Sequence, residues 1–127
     1  MAKSITLAGI VFMGLAVALG AFGGHVMADL LTPDRLATWQ TAVKYQAWHG
    51  LALLILGENQ ARTGDNPWIK RAFLGFVTGT LLFSGSLYLL CLTQVTLLGA
   101  ITPLGGLGFL LGWAFWAISL FKKPPVA

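Results

Sequence analysis

Charged side chains are scarce in this sequence, and that scarcity excludes an ordinary soluble domain. Asp, Glu, Lys and Arg make up 9% of its 127 residues, against roughly a quarter in soluble domains. Hydrophobic residues make up 57%. Because so few charges cannot cover a folded core with a polar surface, the composition predicts an integral membrane protein. Its length predicts a single domain over residues 1–127.

Cysteine is nearly absent, since Cys91 is the only one. An intramolecular disulfide and a cysteine-based metal cluster are therefore impossible. Structural zinc takes four ligands. Beyond His25 and His49, only Cys91 and Asp29 are available, and their spacing is not that of a ligand set. We expect no metal and no cofactor, and we keep a metal protein only as a third alternative.

Acidic residues are the third shortage, with four in the chain against eight Lys and Arg. None provides a carboxylate for an intramembrane proton relay, because Glu58 lies at a helix end and can pair with Arg62. Ser84 and Ser86 have no base and orienting group as nucleophilic catalysis requires. The scattered basic residues form no patch for nucleic acid. We therefore predict a protein that is not an enzyme and binds no nucleic acid.

Long apolar runs, by contrast, are abundant. A helix needs about 20 apolar residues to cross the hydrocarbon core, and residues 5–24, 72–92 and 97–121 carry no charge. The first run is longer than the roughly 7 to 15 apolar residues of a signal peptide, so we expect it to be kept as a span. The last run ends at Lys122, Lys123, Pro124 and Pro125.

A fourth span is predicted over residues 39–58, although its uninterrupted apolar stretch covers only residues 51–57. Thr32 can cap this helix, Pro33 suits its first position, and Asp34 complements the positive helix end. The helix should therefore begin before the membrane does. Reaching span length requires four polar residues: Lys44, Tyr45, Gln46 and His49.

Short loops near residues 62–71 and 93–96 join these spans, which predicts an all-α, antiparallel four-helix transmembrane bundle. An even number of spans puts both termini on one side of the membrane. Six basic residues lie on that side and only Arg35 and Lys44 on the other, so the positive-inside rule places both termini in the cytoplasm. The six are Lys3, Arg62, Lys70, Arg71, Lys122 and Lys123.

Small residues recur at helical spacing along three spans. Lipid gives no hydrophobic drive for helices to associate, so close backbone approach through small residues contributes much of the packing. We predict tight packing within one bundle, with a face for another protein chain as the alternative. The residues are Gly9, Ala16, Gly20 and Gly24 in the first span, Gly75 and Gly79 in the third, and Gly105, Gly108 and Gly112 in the fourth.

Four of the five tryptophans fall near predicted span ends. Trp39 and Trp48 are near the outer boundary, and Trp68 and Trp116 are near the inner one. Tryptophan rings are enriched where the hydrocarbon meets the lipid headgroups. We therefore expect these four side chains to face the membrane boundaries.

Polar residues within the spans are the candidates for a functional site, because they are costly in lipid and usually face protein or water. Polar stripes on the second and third helices rise toward the outer surface. The fourth helix begins there with Thr102 and Pro103, the proline freeing the carbonyl of Gly99. The alternative is helix-to-helix hydrogen bonding, at about 0.6 kcal/mol each. We predict an outer-half ligand pocket lined by His25, Tyr45, Gln46, His49, Ser84 and Tyr88.

Four sequence blocks together indicate a family. They are Gly20-Ala21-Phe22-Gly23-Gly24-His25; Trp39-Gln40-Thr41-Ala42-Val43 with Tyr45, Gln46 and His49; Gly85-Ser86-Leu87-Tyr88; and Ile101-Thr102-Pro103-Leu104-Gly105-Gly106 with Gly112 and Trp113. In these blocks the chain resembles the small YgdD-like membrane proteins, a family of unknown function related to transmembrane protein 256 of animals. The match covers nearly the whole chain, with Gly24 and Gly50 standing where alanine is more usual. The resemblance implies a bacterial inner-membrane protein with four spans, and it supplies no catalytic residue.

Three functions remain open from the sequence. The first is a non-enzymatic binding module that holds a small molecule or lipid headgroup in the outer-half pocket. The second is an accessory subunit or homo-oligomer that packs on other membrane proteins, in addition to its contacts with the lipid bilayer. The third is a metal-binding or enzymatic membrane protein.

Overall fold

The computed structural model describes residues 1–122, which contain helices and no strand. Residues 123–127 lie outside the described residues, and with them the predicted span-ending Lys123, Pro124 and Pro125. Four long helices confirm the all-α, four-helix prediction. They are α1 (Ala2–Phe22), α2 (Pro33–Thr63), α3 (Pro67–Thr93) and α4 (Thr102–Phe121).

Three segments of the described chain are long and apolar enough to cross a membrane: Ala2–Leu30, Pro67–Thr93 and Thr96–Phe121. They contain the three runs that hydropathy alone indicated. α2 does not reach the same hydropathy, because its polar stripe interrupts the apolar residues. With 31 residues it is nevertheless the longest helix, at roughly 46 Å, and it packs between α1 and α3.

α1 continues past its predicted end into a π-helical turn at Gly23–Met27 and a short helix at Ala28–Leu30. A Cβ atom at Gly23 would lie 2.7 Å from the ring of Trp39, so the glycine lets that ring press against the turn. The Trp39 ring is 2% exposed, and its indole N–H donates to the carbonyl of Leu19 at 2.9 Å. The expectation that Trp39 faces the membrane boundary is wrong.

The predicted start of α2 is confirmed. Thr32 Oγ1 accepts a hydrogen bond at 3.3 Å from a backbone N–H three residues later, and Pro33 occupies the first turn. The predicted ion pair at the far end is also present, with Arg62 Nε 2.9 Å from Glu58 Oε1. α2 ends at Gly64, whose φ of +78° suits a residue without a side chain.

The loop between α2 and α3 has three residues, so α3 begins at residue 67 instead of the predicted 72. Asn66 is buried in this loop. Its Oδ1 accepts from the backbone N–H of Trp68 at 2.9 Å, while its Nδ2 donates to the carbonyls of Ser119 at 3.4 Å and Lys122 at 3.1 Å. One side chain therefore caps the start of α3 and the end of α4.

The connection between α3 and α4 differs from the predicted short loop. α3 ends at Gln94, which has a left-handed φ of +59°, and a 3₁₀ turn follows at Thr96–Ala100. Pro103 then lies in the first turn of α4, where its missing N–H removes no helical hydrogen bond. The prediction that the fourth helix begins with Thr102 and Pro103 is confirmed, although the predicted span began earlier, at residue 97.

Consecutive helices make the closest backbone approaches: α1 with α2, α2 with α3, and α3 with α4. The predicted close packing through small residues is confirmed. A Cβ atom at Gly75 would lie 2.8 Å from the Cα of Gly112, and one at Gly9 would lie 2.9 Å from the carbonyl oxygen of Gly50. Gly24 is the exception, because no described atom of another residue lies near enough to meet a Cβ there.

An apolar core fills the half of the bundle next to the loop between α2 and α3. α1, α2 and α3 contribute its buried side chains. Most buried polar side chains of α2 and α3 lie in the middle and in the other half, and Gln60 is the exception next to this loop. The core residues are Ile5, Ala52, Leu53, Leu56, Ile69, Ala72 and Phe76.

Candidate functional site

His49 is buried between α2, α3 and α4, and both of its ring nitrogens have partners. Nδ1 lies 2.8 Å from the carbonyl oxygen of Tyr45, one turn earlier, and Nε2 lies 3.1 Å from the indole nitrogen of Trp113. An indole N–H can only donate, so Nε2 accepts and Nδ1 carries the proton donated to Tyr45. The network therefore selects one neutral tautomer and connects α2 to α4.

Aromatic rings surround the His49 imidazole. Phe109 stacks on it with a centroid distance of 3.6 Å and an interplanar angle of 9°. Phe76 lies at 5.4 Å, and Trp113 meets the ring edge-on at 5.9 Å. With both nitrogens bonded and its ring stacked, His49 has no free lone pair for a metal ion.

A cleft of about 600 Å³ opens beside this cluster, between α2 and α4. Along α4 it extends from Pro103 to Trp113, roughly 15 Å at 1.5 Å per residue. Most of its walls are apolar or aromatic. We call it the α2–α4 cleft, and it is lined by Tyr45, Trp48, His49, Phe83, Pro103, Gly106, Leu107, Phe109, Leu110 and Trp113.

Tyr45 supplies a polar group that the α2–α4 cleft can offer to an occupant. Its half-buried ring lies 4.4 Å from that of Phe83 and 4.9 Å from that of Trp48, measured between centroids. Its hydroxyl makes no hydrogen bond within residues 1–122. Tyr45 therefore differs from His49, whose polar atoms are already bonded.

Gln46, Ser84 and Tyr88 form a separate set on the other side of α2. Gln46 Nε2 donates to the carbonyl of Phe12 at 2.9 Å, and its Oε1 accepts from the Tyr88 hydroxyl at 2.7 Å. Ser84 Oγ donates to the carbonyl of Ala42 at 2.7 Å. These bonds connect α2 to α1 and α3, and they leave the three side chains directed away from the α2–α4 cleft.

The structure therefore does not bring the six predicted residues into one pocket. Tyr45 and His49 border the α2–α4 cleft, while Gln46, Ser84 and Tyr88 bridge helices. His25 is exposed in the π-helical turn. Adjacent helical residues diverge by 100°, so Tyr45 faces α4 while Gln46 faces α1 and α3. Ligand binding itself stays a prediction.

His49 also lies deeper than the predicted outer-half position. Its neighbour Phe76 is nine residues from the start of Pro67–Thr93 and 17 from its end. These separations correspond to roughly 14 and 26 Å along α3. The α2–α4 cleft therefore extends from the start of α4 to about the middle of the bundle.

Sequence reasoning did not identify Phe109 and Trp113, which complete the surroundings of His49. Both lie on α4, where no polar stripe marks the face that meets α2. Their i, i+4 spacing was the available signal, because residues four apart share a helix face. Trp113 also belongs to one of the sequence blocks that indicated a family.

A further polar cluster joins the start of α2 to the end of α3. Cys91 Sγ donates to the carbonyl of Arg35 at 3.2 Å, and Arg35 Nε donates to Gln94 Oε1 at 3.0 Å. Gln94 Nε2 then donates to the Cys91 carbonyl at 2.7 Å. Cys91 is 1% exposed. Within residues 1–122, no three His, Cys, Asp or Glu side chains are grouped as metal ligands, and the lack of a cofactor stays an expectation.

Comparison with known proteins places this chain in a membrane protein family of unknown function. Residues 19–106 match a family described as Protein of unknown function (DUF423). The chain is 46% identical over 112 residues to a UPF0382 membrane protein of Staphylococcus haemolyticus, with 85% of this chain and 87% of that protein covered. It is 38% identical over 108 residues to the UPF0382 membrane protein YwdK of Bacillus subtilis, with 85% and 88% covered.

No solved structure gives a significant match. The matches confirm the expected small membrane protein family of unknown function. The relatives described above carry the name UPF0382, so the YgdD-like and transmembrane protein 256-like names stay a prediction.

Proposed function

The chain belongs to the DUF423 family of membrane proteins of unknown function, and we propose from the geometry of the α2–α4 cleft that it is a non-enzymatic binding module. The α2–α4 cleft would hold the apolar part of a lipid-like amphiphile. The polar part would lie at the outer end of the cleft, beside the hydroxyl of Tyr45. This replaces a polar pocket for a headgroup alone with a mostly apolar site.

The α2–α4 cleft is the observation that supports this proposal. Its volume of about 600 Å³ falls within the roughly 300–1,000 Å³ of small-molecule pockets, which are typically apolar with few polar groups. Trp48 and Trp113 on its rim are 51% and 45% exposed. Because the cleft lies on the side of a membrane bundle, an occupant would enter from the hydrocarbon.

A binding role agrees with the chemistry of the polar side chains better than catalysis does. The His49 nitrogens are both hydrogen-bonded, and Gln46 and Tyr88 bond to each other. Ser84 donates its hydroxyl proton to the backbone carbonyl of Ala42. Stable hydrogen bonds of this kind favour a fixed scaffold, since a catalytic base needs a free lone pair directed at its substrate.

The placement in the cell is part of the proposal. We propose a multi-pass protein of the bacterial inner membrane with both termini in the cytoplasm. The excess of basic residues on the side of the termini supports this orientation.

Filling the α2–α4 cleft provides a direct test of the binding function. Gly106 lines the cleft, and a Cβ there would meet no described atom of another residue. We expect Gly106→Leu to fold normally and to occupy the cleft. A fatty acid with a photoreactive diazirine should label the cleft residues of the wild-type protein saturably, as mapped by peptide mass spectrometry. Gly106→Leu should lose that saturable labelling.

Gly85→Leu is the matched control. Gly85 also has open space around its Cβ position, but it does not line the cleft. Saturable labelling should persist in this variant. Equal labelling of the two variants, or wild-type labelling spread evenly over all lipid-facing helices, would contradict the proposal.

A second candidate is an interaction protein, either an accessory subunit or a homo-oligomer. The outer helices favour it, because α1 buries only Ile5, Gly9 and Ala16, and α4 buries only Gly105, Phe109 and Gly112 within the described residues. Their remaining apolar surface faces lipid or another protein. Native mass spectrometry after extraction in mild detergent decides between these alternatives, and a monomer without partners would rule this candidate out.

A further inference from the structure

A second cleft lies at the opposite end of the bundle, next to the loop between α2 and α3. It has a volume of about 450 Å³, many times the roughly 30 Å³ that a water molecule occupies. Unlike the α2–α4 cleft, it contains charged and amide side chains. We call it the inner-end cleft, and it is lined by Met1, Gln60, Asp65, Asn66, Pro67 and Lys70.

Gln60 is the unusual residue of the inner-end cleft. It is 4% exposed, and its Nε2 donates to Asp65 Oδ1 at 3.0 Å. A carboxylate oxygen can only accept this bond, so the orientation of the amide is determined and its Oε1 points elsewhere. That buried oxygen has no hydrogen-bond partner within residues 1–122. Leaving a buried acceptor unpaired destabilises a fold, so Gln60 favours a ligand that supplies an N–H or O–H donor.

The charges around Gln60 restrict the ligand further. Lys70 is exposed in the first turns of α3 and can pair with an anion, while Asp65 is exposed and can accept a hydrogen bond from a second donor. Asn66 is not available, because its side chain already caps α3 and α4. Among its side chains, the cleft therefore offers one cation, Lys70, and two acceptors, Asp65 and Gln60 Oε1, to a single occupant.

We propose that the inner-end cleft binds the headgroup of a membrane phospholipid. The phosphate would pair with Lys70, and the terminal N–H or O–H donors would bond to Asp65 and to Gln60 Oε1. Ethanolamine and glycerol headgroups have such donors, whereas the quaternary ammonium of choline has none. Because Gln60 Oε1 is buried, the side chains that line the cleft shift when the donor reaches it. The site is independent of the α2–α4 cleft.

Native mass spectrometry of the full chain in detergent tests this proposal. The probes are phosphatidylethanolamine, phosphatidylglycerol and phosphatidylcholine with identical acyl chains. We expect either donor-bearing lipid to be retained about tenfold more tightly than phosphatidylcholine, since one hydrogen bond to a charged group is worth about a factor of ten. Gln60→Leu should remove most of that preference. Lys70→Gln should instead weaken the retention of all three lipids, because each has the phosphate that would pair with Lys70.

Arg62→Gln is the control, because Arg62 is exposed, pairs with Glu58 and lies outside the inner-end cleft. It should keep the preference. Lys70 is also exposed, so Lys70→Gln should fold normally. It therefore tests the proposal even if Gln60→Leu fails to fold. Circular dichroism checks the folding of both variants. Equal retention of phosphatidylcholine, or displacement of the lipid by soluble glycerol phosphate, would overturn the proposal.

The two proposed sites can be tested independently of each other. Gln60→Leu should leave photoreactive labelling of the α2–α4 cleft unchanged, and Gly106→Leu should leave the headgroup preference unchanged. A loss of headgroup preference in Gly106→Leu would mean that one lipid occupies a single connected site, which would overturn the inner-end cleft as a separate site.

Discussion

At the scale of single residues, buried polar side chains connect the helices of this protein. His49 connects α2 to α4, Gln46 connects α2 to α1 and α3, and Ser84 connects α3 to α2. Asn66 bonds to backbone atoms of two helices. Hydrocarbon offers no water to replace such hydrogen bonds, so each bond keeps the two helices that it joins in a fixed register. Tyr45 differs, because it lines the α2–α4 cleft and its hydroxyl makes no hydrogen bond within residues 1–122.

The bond between His49 and Trp113 allows a prediction about stability. We expect His49→Leu to lower the free energy of unfolding by about 1 kcal/mol, a size typical of hydrogen bonds between membrane helices. The reason is that the Trp113 indole loses its acceptor and Tyr45 its donor. Trp113→Phe should destabilise the protein by a comparable amount. Thermal unfolding in detergent, followed by circular dichroism, measures both variants.

The double variant separates this hydrogen bond from general packing. Because both single changes break the same bond, His49→Leu with Trp113→Phe should cost less than the sum of the two. Additive losses would show that the bond contributes nothing. A stabilising His49→Leu would mean that His49 is retained for a ligand.

At the scale of helices, glycines determine how closely neighbouring elements approach. On α3 and α4, a Cβ atom at Gly79 would lie 2.6 Å from the ring of Phe109, and one at Gly112 would lie 2.7 Å from the ring of Phe76. The ring of Phe109 in turn stacks on His49. The glycines of α3 and α4 therefore allow the aromatic surroundings of His49 to form.

The π-helical turn provides a test at the same scale. We expect Gly23→Ala to lower the melting temperature, because its Cβ would overlap the buried ring of Trp39, which neighbouring helices hold in place. Loss of about 1–3 kcal/mol is typical of such overpacking. Differential scanning fluorimetry in detergent gives the shift.

Gly24→Ala is the matched control one residue later. Its Cβ position is open, and alanine favours helix over glycine by about 1 kcal/mol, so this variant should be neutral or slightly stabilising. Equal destabilisation by the two substitutions would contradict the role assigned to Trp39.

At the scale of the whole molecule, the helices follow one another in space as they do in sequence. α2 and α3 each have a close neighbour on either side, whereas α1 and α4 each have one. The arrangement leaves one side of α2 and α4 open enough for the α2–α4 cleft. It also places the loop between α2 and α3 beside the start of α1 at the inner-end cleft.

Membrane orientation is the prediction that belongs to this scale. The native thiol reports it poorly, because Cys91 is buried and bonded to the carbonyl of Arg35. In a Cys91→Ala background, we expect Thr93→Cys to react with an impermeant maleimide added from outside. Thr63→Cys should react only after the cytoplasmic side is opened, because both threonines are exposed at opposite ends of the bundle.

Gel-shift labelling of intact cells and of permeabilised cells distinguishes the two positions. The reverse order of reactivity would overturn the predicted orientation. Labelling of both positions from outside would contradict α3 as a membrane span, because α3 is the helix between them.

The sequence by itself determined the features that depend on neighbouring residues along the chain. Hydropathy alone identifies α1, α3 and α4 as candidate spans, because apolar length is a local property. The start of α2 follows from Thr32 and Pro33, and its end carries the predicted pair of Glu58 and Arg62. The identity of the polar stripe was also readable, since helical periodicity requires only spacing.

Only the tertiary structure decided which partner each side chain of the stripe meets. Tyr45 and Gln46 are adjacent in sequence, yet one borders the α2–α4 cleft and the other bonds to α1 and α3. That division depends on how far each helix is rotated about its axis and on where the glycines let the backbones approach. The spacing of residues along one helix gives neither the rotation of that helix nor the places where the backbones approach. For the same reason, the partners of His49 on α4 could not be predicted from the stripe that contains it.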